Sequence, residues 1–192
     1  MMKSVFTLIL LLNIMGCEQM TSQNKSSDEV ITTSEKQLLM DFEMIDLNGS
    51  MRHSSEWNNS AKLINFWATW CAPCRREIPL LNETQKKLSD GLIQIIGIAV
   101  DDFDEVTSYA ENTNFDYPIL IGEQDAVAIA ENSGVNFIGL PFTMIVTKDE
   151  EIIKTHIGEI KEHHIELIIK VLKAIENGEI TASEAKVQLG PI

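Results

Sequence analysis

The segment 62–74 limits the fold of this 192-residue chain more than any other part of the sequence. Residues 62–67 (KLINFW) form an apolar run of strand length, and Cys71 and Cys74 follow with two residues between them. One of those two is Pro73, which suits the first turn of a helix because no backbone N–H is needed there. The segment therefore predicts a strand that runs directly into a helix, with both cysteines at the start of that helix.

Strands and helices alternate along the rest of the sequence. The run 92–100 is apolar and rich in β-branched residues, as in strands that are buried on both faces of a parallel sheet. Asn48-Gly49 is a favoured hairpin turn between 42–45 and 51–53. Apolar residues recur at helical spacing between 165 and 175. The remaining predicted elements are helices over 72–88, 102–112, 125–132 and 181–190, and strands over 117–121, 143–147 and 151–157.

This order of elements predicts the fold class. Strand–helix–strand units followed by a terminal hairpin and a covering helix are typical of an α/β fold in three layers. We expect a mixed central sheet flanked by helices, with an additional β-hairpin at its N-terminal side.

The N-terminal residues have the pattern of a targeting segment. Lys3 precedes an apolar run over 5–15, which is too short to span about 30 Å of hydrocarbon as a helix and has the length of a signal-peptide core. Residues 14–17 (IMGC) resemble the lipobox of bacterial lipoproteins, which implies cleavage before Cys17 and a lipid on its sulfur. An ordinary secretory signal that ends in a chance cysteine is the alternative.

The predicted organisation follows from this pattern and from composition. Residues 18–36 are mostly polar and include few large apolar residues, which is typical of a flexible tether. We expect a lipoprotein signal peptide over 1–16, a lipid-anchored linker over 17–36, a folded domain over 37–178 and a C-terminal extension over 179–192.

The charge of the chain limits its partners. The formal net charge is −14 and no block of Lys and Arg is present. Nucleic-acid binding needs clustered cations that displace counterions from phosphates, so this composition argues against it. The acidity indicates either solubility or a preference for basic partners.

Cys71 and Cys74 have the spacing and position of a redox pair. A helix N-terminus stabilises the thiolate, which is the form that attacks a disulfide. Two intervening residues bring the second sulfur within bonding reach of the first. We expect Cys71, at the exposed end of the pair, to attack and Cys74, which is deeper, to resolve the mixed disulfide. A zinc site would need four ligands, and the sequence has no second cysteine pair. A structural disulfide is the remaining alternative. The four histidines are each expected at the surface: His53, His156, His163 and His164.

Two segments resemble one branch of a known superfamily. Residues 65–79 (NFWATWCAPCRREIP) and 139–143 (GLPFT) are similar to the active-site segments of TlpA/ResA-like proteins of the thioredoxin superfamily, and the resemblance covers about 38–175. It implies a thioredoxin-like fold and extracytoplasmic reduction of protein disulfides, often in cytochrome c maturation with apocytochrome c as substrate. It also implies a membrane thiol relay as electron donor, and a redox-active Cys71–Cys74 disulfide with no bound cofactor.

The resemblance also implies roles for individual residues. The Leu140-Pro141 peptide would be cis and would pack against the cysteine pair, leaving the backbone of Leu140 to pair with an extended substrate. Glu77 matches a glutamate that acts as the active-site acid; an exposed first-turn glutamate is the alternative. Trp70 would form a rim of the substrate site, whereas Trp67 would pack in the core.

Asn65 departs from the pattern of cytosolic thioredoxins, which carry a buried aspartate at this position. An amide cannot act as a base, so this difference fits the specialised branch, with Glu77 as the remaining acid.

We therefore expect a membrane-anchored, extracytoplasmic dithiol reductase, on the periplasmic side if the organism has a periplasm. Two alternatives stay open. One is a disulfide oxidase or isomerase, since such dithiols span about −270 to −120 mV. The other is a Cu(I)-handling protein that uses both thiolates as soft ligands. The third copper ligand could then be Met144 or His156.

Overall fold

The computed structural model describes residues 36–88 and 90–192. The predicted signal peptide, the lipobox with Cys17 and the linker up to residue 35 lie outside the described residues. Among the helices that are described, none is both long enough and apolar enough to cross a membrane.

The described chain alternates strands and helices as the sequence predicts. The strands are β1 (Glu43–Asp46), β2 (Met51–His53), β3 (Ala61–Trp67), β4 (Ile93–Val100), β5 (Ile119–Gly122), β6 (Phe142–Val146) and β7 (Ile152–Ile157). The helices are α1 (Ala72–Lys87), α2 (Phe103–Ala110), α3 (Gln124–Asn132), α4 (Glu162–Glu176) and α5 (Ala182–Leu189), with a short 3-10 helix at Ser54–Trp57.

The strands form one mixed sheet in the order β2-β1-β5-β4-β3-β6-β7. The pairs β3–β4 and β4–β5 are parallel, whereas β6 is antiparallel to both β3 and β7. The expected mixed sheet, with the β1–β2 hairpin at one side, is therefore confirmed. The order places β3, which leads into the cysteine pair, between β4 and β6.

Helices cover both faces of the sheet, so the fold has three layers. Buried side chains of α1, α2, α4 and α5 pack in one core cluster, together with Cys71 and Cys74. Buried side chains of α3 pack in a second cluster on the opposite face. Alternate residues of β6 separate accordingly, because successive side chains of a strand point to opposite faces. Ile145 lies in the first cluster and Met144 in the second.

The C-terminal residues pack on this sheet. Helix α5 begins with a capping box in which Thr181 and Glu184 bond each other's backbone amides. Ala185 and Leu189 are buried in the same cluster as the cysteines. The segment 179–192, predicted as a C-terminal extension, thus contributes side chains to the core.

The first described residues join the sheet beside the start of β3, at the opposite end of that strand from the cysteine pair. The amide of Leu39 donates to the carbonyl of Glu150 at 2.8 Å, and the amide of Ile152 donates to that of Gln37 at 2.8 Å. Glu150 lies in the turn between β6 and β7, and it also binds the ammonium of Lys62, which is 1% exposed near the start of β3. The chain therefore enters the domain far from Cys71.

Candidate active site

The turn between β3 and α1 is held by Asp101, the residue after β4. Its carboxylate accepts from the backbone amide of Thr69 at 2.8 Å and from the Thr69 hydroxyl at 2.6 Å. Parallel strands end at the same edge of a sheet, so the end of β4 supports the turn that follows β3. This support fixes the backbone directly before the two cysteines.

Cys71 is the N-cap of α1. Its sulfur accepts from the amide of Cys74 at 3.3 Å, and its carbonyl accepts from Arg75 at 3.1 Å. The helix begins at Ala72 with Pro73 in the first turn, as the sequence predicts. Both sulfurs therefore lie where unpaired N–H groups of a helix favour negative charge.

The structure joins Cys71 and Cys74 in a disulfide, with 5.3 Å between the Cα atoms. Cys71 is 5% exposed and Cys74 is completely buried. A reagent or substrate from solvent therefore reaches the sulfur of Cys71 first.

The two tryptophans of the segment have different environments, as expected. Trp67 is completely buried, and its ring packs against Tyr109 at 5.6 Å and Phe115 at 5.4 Å between centroids. Trp70, directly before Cys71, is 67% exposed. An exposed indole beside the disulfide offers an apolar surface to an approaching chain.

The Leu140-Pro141 peptide is cis, in agreement with the sequence expectation. Pro141 is buried directly before β6, one residue from Phe142, whose partner on β3 is Phe66. The carbonyl of Pro141 accepts a hydrogen bond from the amide of Gly158 at 2.9 Å. The register places this loop at the edge of the sheet where β3 leads into the cysteines. Leu140 remains partly exposed in the same loop.

Glu77 lies on α1, three residues after Cys74, and is 1% exposed. One carboxylate oxygen accepts from the side-chain amide of Asn65 at 2.8 Å. The other oxygen accepts from the backbone amide of Ile160 at 2.7 Å, which lies in the loop before α4. The alternative of an exposed glutamate is therefore excluded by its burial.

Burial raises the pKa of Glu77 to about 7, because a carboxylate loses hydration in the protein interior. The hydrogen bonds from Ile160 and Asn65 oppose this shift, since both stabilise the ionised form. Glu159 raises the pKa further by repulsion and Lys161 lowers it. Protonated and ionised Glu77 are thus both populated near neutral pH, which suits a group that transfers protons.

Asn65 orients this carboxylate rather than titrating. It is completely buried on β3, and its amide nitrogen donates to Glu77 and also to the hydroxyl of Thr143 at 3.1 Å. Its own side-chain oxygen has no hydrogen-bond partner among the described residues. Both of its amide hydrogens are thus used to hold polar groups on the face that α1 covers.

Two contributors to the surroundings of Glu77 have no role in the sequence expectations. Thr143 belongs to the motif at 139–143, but no role was assigned to its hydroxyl. The amide of Ile160 carries no sequence signal, because any residue except proline would supply it. His156 was expected at the surface, and this expectation is wrong: it is 5% exposed. Its ring packs against that of His164 on α4, with 4.6 Å between centroids, which contributes to the burial.

The copper alternative finds little support in the geometry. Met144 packs in the core cluster on the face opposite to that of Cys71 and Cys74. Within residues 36–88 and 90–192, no group of three or more His, Cys, Asp or Glu side chains could hold a metal ion.

The Redoxin family profile matches residues 33–169, which is most of the described chain. The chain belongs to the Redoxin family. It is 31% identical over 134 residues to the thiol-disulfide oxidoreductase ResA of Geobacillus kaustophilus, covering 69% of this chain and 75% of that one. It is 27% identical over 169 residues to the thioredoxin-like protein YneN of Bacillus subtilis, covering 86% and 96%.

Solved structures agree with this placement of the fold. A thioredoxin family thiol:disulfide interchange protein of Chlorobium tepidum matches with a TM-score of 0.64 and 22% identity, covering 71% of this chain and 96% of that one. The exposed lipoprotein thioredoxin of Streptococcus pneumoniae matches with a TM-score of 0.59 and 20% identity, covering 70% and 98%. This Redoxin-family chain is therefore a ResA/TlpA-like thiol–disulfide oxidoreductase with a thioredoxin-like fold.

Proposed function

We propose that this oxidoreductase is a lipid-anchored, extracytoplasmic reductase of protein disulfides. The observation that carries the proposal is the buried Glu77 on the same helix as the cysteine pair, with a pKa of about 7. Such a group can accept a proton from the resolving thiol at the pH at which the enzyme works.

The first step consumes the substrate disulfide. In the reduced enzyme the Cys71 thiolate attacks one substrate sulfur, the substrate S–S bond breaks, and a mixed disulfide forms. The departing substrate thiolate takes a proton from solvent. The free N–H groups at the start of α1 stabilise the attacking thiolate of Cys71.

The second step resolves the mixed disulfide. Cys74 transfers its proton to the Glu77 carboxylate, and its sulfur attacks that of Cys71. The bond between Cys71 and the substrate breaks, the Cys71–Cys74 disulfide forms, and the second substrate sulfur leaves as a thiolate. The substrate gains two electrons and the enzyme dithiol loses two, and Glu77 holds one proton that must return to solvent.

The loop before β6 and the exposed tryptophan form the proposed substrate site. Trp70 and Ile138 are 67% and 61% exposed, and Leu140 is partly exposed between Ile138 and Pro141. An extended segment around the substrate disulfide would pair with the backbone of Leu140 and pack on these apolar side chains. The net charge of −14 favours basic substrates. Apocytochrome c, which the family resemblance implies, is one such candidate.

The reductase direction has a physical reason in the same carboxylate. Oxidising members of the fold stabilise the reduced form as a thiolate. The negative charge of ionised Glu77 disfavours a second negative charge on the adjacent sulfurs. The reduced pair is then less stabilised and donates electrons more readily. We propose that a membrane thiol relay returns the enzyme to the dithiol form.

The reduction potential tests this direction. We expect a value nearer to about −270 mV, as in thioredoxin, than to about −120 mV, as in a strong oxidant. The full chain is equilibrated against glutathione and thioredoxin buffers. Alkylation and mass analysis of Cys71 and Cys74 then give the reduction potential. A potential near the oxidising end would identify a disulfide donor instead.

Anchoring through Cys17 is proposed on two grounds. The residues before Cys17 resemble a lipobox, and a structural neighbour is itself named as a lipoprotein thioredoxin. The chain also enters the domain at the sheet edge opposite the cysteine pair, through the contacts of Gln37 and Leu39.

Substitution of the proposed lipid attachment residue tests the anchor. Cys17→Ser should abolish membrane association of the processed chain, because the thioether has no sulfur on which to form. Fractionation of cells that express wild type or Cys17→Ser, with mass measurement of the N-terminal peptide, checks this. Recovery of a cleaved Cys17→Ser chain in the membrane fraction would contradict lipidation at this residue.

A further inference from the structure

The segment 158–161, between β7 and α4, is bonded to two parts of the proposed active site. The amide of Gly158 donates to the carbonyl of Pro141 at 2.9 Å. Two residues further on, the amide of Ile160 donates to the carboxylate of Glu77 at 2.7 Å. One segment therefore supports both the loop that we propose to bind substrate and the carboxylate that we propose to accept the proton.

An ion pair joins the same segment to α1. The guanidinium of Arg76 donates to one carboxylate oxygen of Glu159 through Nε at 2.9 Å and through Nη2 at 2.6 Å. The other oxygen of Glu159 binds the ammonium of Lys161 at 2.5 Å. Arg76 precedes Glu77 in the chain, and Glu159 precedes Ile160. The ion pair and the hydrogen bond of Glu77 are thus two neighbouring connections between the same two parts of the protein.

The geometry of this pair differs from that of an ordinary surface ion pair. Exposed pairs of long side chains contribute little, because solvent screens their attraction and both side chains must be ordered. The side chain of Glu159 is only 16% exposed, and both of its oxygens are bound. Its neighbour Ile160 is 1% exposed and packs in the core cluster that contains the cysteines. The segment is therefore held both by a buried side chain and by a charged connection to α1.

We propose that Arg76 and Glu159 are positioning residues for the active-site acid. Their ion pair holds the segment 158–161 against α1, which keeps the amide of Ile160 on the carboxylate of Glu77. The inference rests on the proposed function, because it assigns the ion pair a part in keeping this carboxylate ionised when it must accept a proton.

Loss of Arg76 would affect Glu77 in two ways that have the same sign. The hydrogen bond from Ile160 lowers the pKa of Glu77, because it stabilises the ionised carboxylate. The charge of Glu159 raises the pKa of Glu77 by repulsion, and the guanidinium of Arg76 compensates that charge. Without Arg76 the hydrogen bond would be weaker and the repulsion stronger. Both changes would raise the pKa of Glu77.

The other groups near Glu77 belong to different elements of the fold. The charge of Lys161 lowers the pKa of Glu77. Burial, and after it the charge of Glu77, raises the pKa of Tyr117 before β5, so this phenol stays neutral. The polar side chains on β3 and β6 are Asn65 and Thr143, which carry no charge. In the oxidised protein both cysteines are in the disulfide. A shift of the Glu77 midpoint in a variant of the ion pair therefore reports on the pair itself.

Lys86 provides a matched control. It also lies on α1, its side chain is 62% exposed against 59% for Arg76, and it pairs with Asp116 at 3.0 Å. This pair joins α1 to the segment before β5 and has no bond to the segment 158–161. Lys86→Gln thus removes an ion pair of the same kind from the same helix without changing the support of Glu77.

The test is an NMR titration of the full, oxidised chain. The carboxyl carbon of Glu77 should titrate about half to one pH unit higher in Arg76→Gln than in wild type, and within a few tenths of wild type in Lys86→Gln. The amide proton of Ile160 should follow the titration of Glu77 in wild type, because it is bonded to that carboxylate. This response should be at least about twofold smaller in Arg76→Gln and in Glu159→Gln. The second variant removes the ion pair without leaving an uncompensated anion, so it separates the effect of position from that of charge.

A kinetic measurement connects the titration with catalysis. Reduction of a protein disulfide by Arg76→Gln should be slower than by wild type by roughly three- to tenfold at pH 6, where less Glu77 would be ionised, and should approach the wild-type rate at pH 9. A slowing that is equal at both pH values would indicate a general structural effect and would contradict the inference.

Two NMR results would overturn the inference even if the enzyme is an active reductase. One is a Glu77 midpoint in Arg76→Gln that equals that of wild type or of an equally shifted Lys86→Gln. The other is a full response of the Ile160 amide in both variants of the ion pair. A wild-type dithiol without reductase activity would instead contradict the proposed function, and the NMR measurements would still decide whether the pair positions this amide.

Discussion

Cys71→Ser is expected to lower catalysed disulfide reduction by about a thousandfold or more. A serine hydroxyl is not ionised at neutral pH and cannot form or leave a disulfide, so the first step is lost. Cys74→Ser should lose multiple turnover to a similar extent for a different reason. Its Cys71 can still attack, but the mixed disulfide has no resolving thiol and should accumulate as a covalent adduct. Turnover of a protein disulfide and intact-mass measurement after a single exposure check both results.

The difference between the two variants assigns the roles. Cys71 is 5% exposed and Cys74 is completely buried, so adducts should appear in Cys74→Ser and be absent in Cys71→Ser. The double variant Cys71→Ser/Cys74→Ser is the control for nonspecific attachment. Adducts that form equally fast in Cys71→Ser would show that Cys74 is the attacking thiol. Adducts trapped from cell extracts by Cys74→Ser would also identify the substrates.

Much of the scaffold could be predicted because its signals are local. The apolar run into Cys71 specifies β3 and the start of α1, and Asn48-Gly49 specifies the first hairpin. Thr181 and Glu184 specify the start of α5 through their capping box. Each depends on residues within a few positions of each other, so the sequence contains the whole cause. The cis peptide before Pro141 was expected only through family resemblance, since no local pattern distinguishes it.

The environment of the site could not be predicted in the same way, because long-range contacts make it. The carboxylate of Glu77 is held by the amide of Ile160, 83 residues along the chain. The burial of His156 depends on the register of β7 against β6 and on the packing of its ring against His164 of α4. Burial by distant parts of the chain raises the pKa of Glu77 to about 7, although the amide of Ile160 opposes this shift.

Glu77→Gln is expected to change both the chemistry of the thiols and the stability of the fold. Removal of the buried negative charge should lower the pKa of the Cys74 thiol in the reduced enzyme, because a nearby anion no longer opposes the thiolate. Reduction of a protein disulfide at neutral pH should nevertheless become slower by about 10²–10⁴-fold, since Cys74 loses its proton acceptor. Thiolate absorbance titrations and stopped-flow reduction measure the two effects. Unchanged curves in both assays would exclude Glu77 from the mechanism.

The stability of Glu77→Gln should differ from that of wild type in a manner that depends on pH. Burial raises the pKa of Glu77 from 4.5 to about 7, so between these values the folded chain keeps a proton that the unfolded chain has lost. The free energy of unfolding of the wild type therefore falls as pH rises through this window. Glutamine lacks this penalty. At every pH the variant loses one hydrogen bond, since glutamine offers one oxygen where Glu77 accepts from both Asn65 and Ile160. Between pH 4 and pH 8 the stability of the variant relative to that of the wild type should therefore change by about 3 kcal/mol in favour of the variant. Urea unfolding of the oxidised proteins at both pH values measures the difference, with Glu83→Gln on the exposed side of α1 as the control. A difference that does not grow with pH would show that the carboxyl is ionised in the folded protein at acidic pH, which would remove the basis for its role as a proton acceptor.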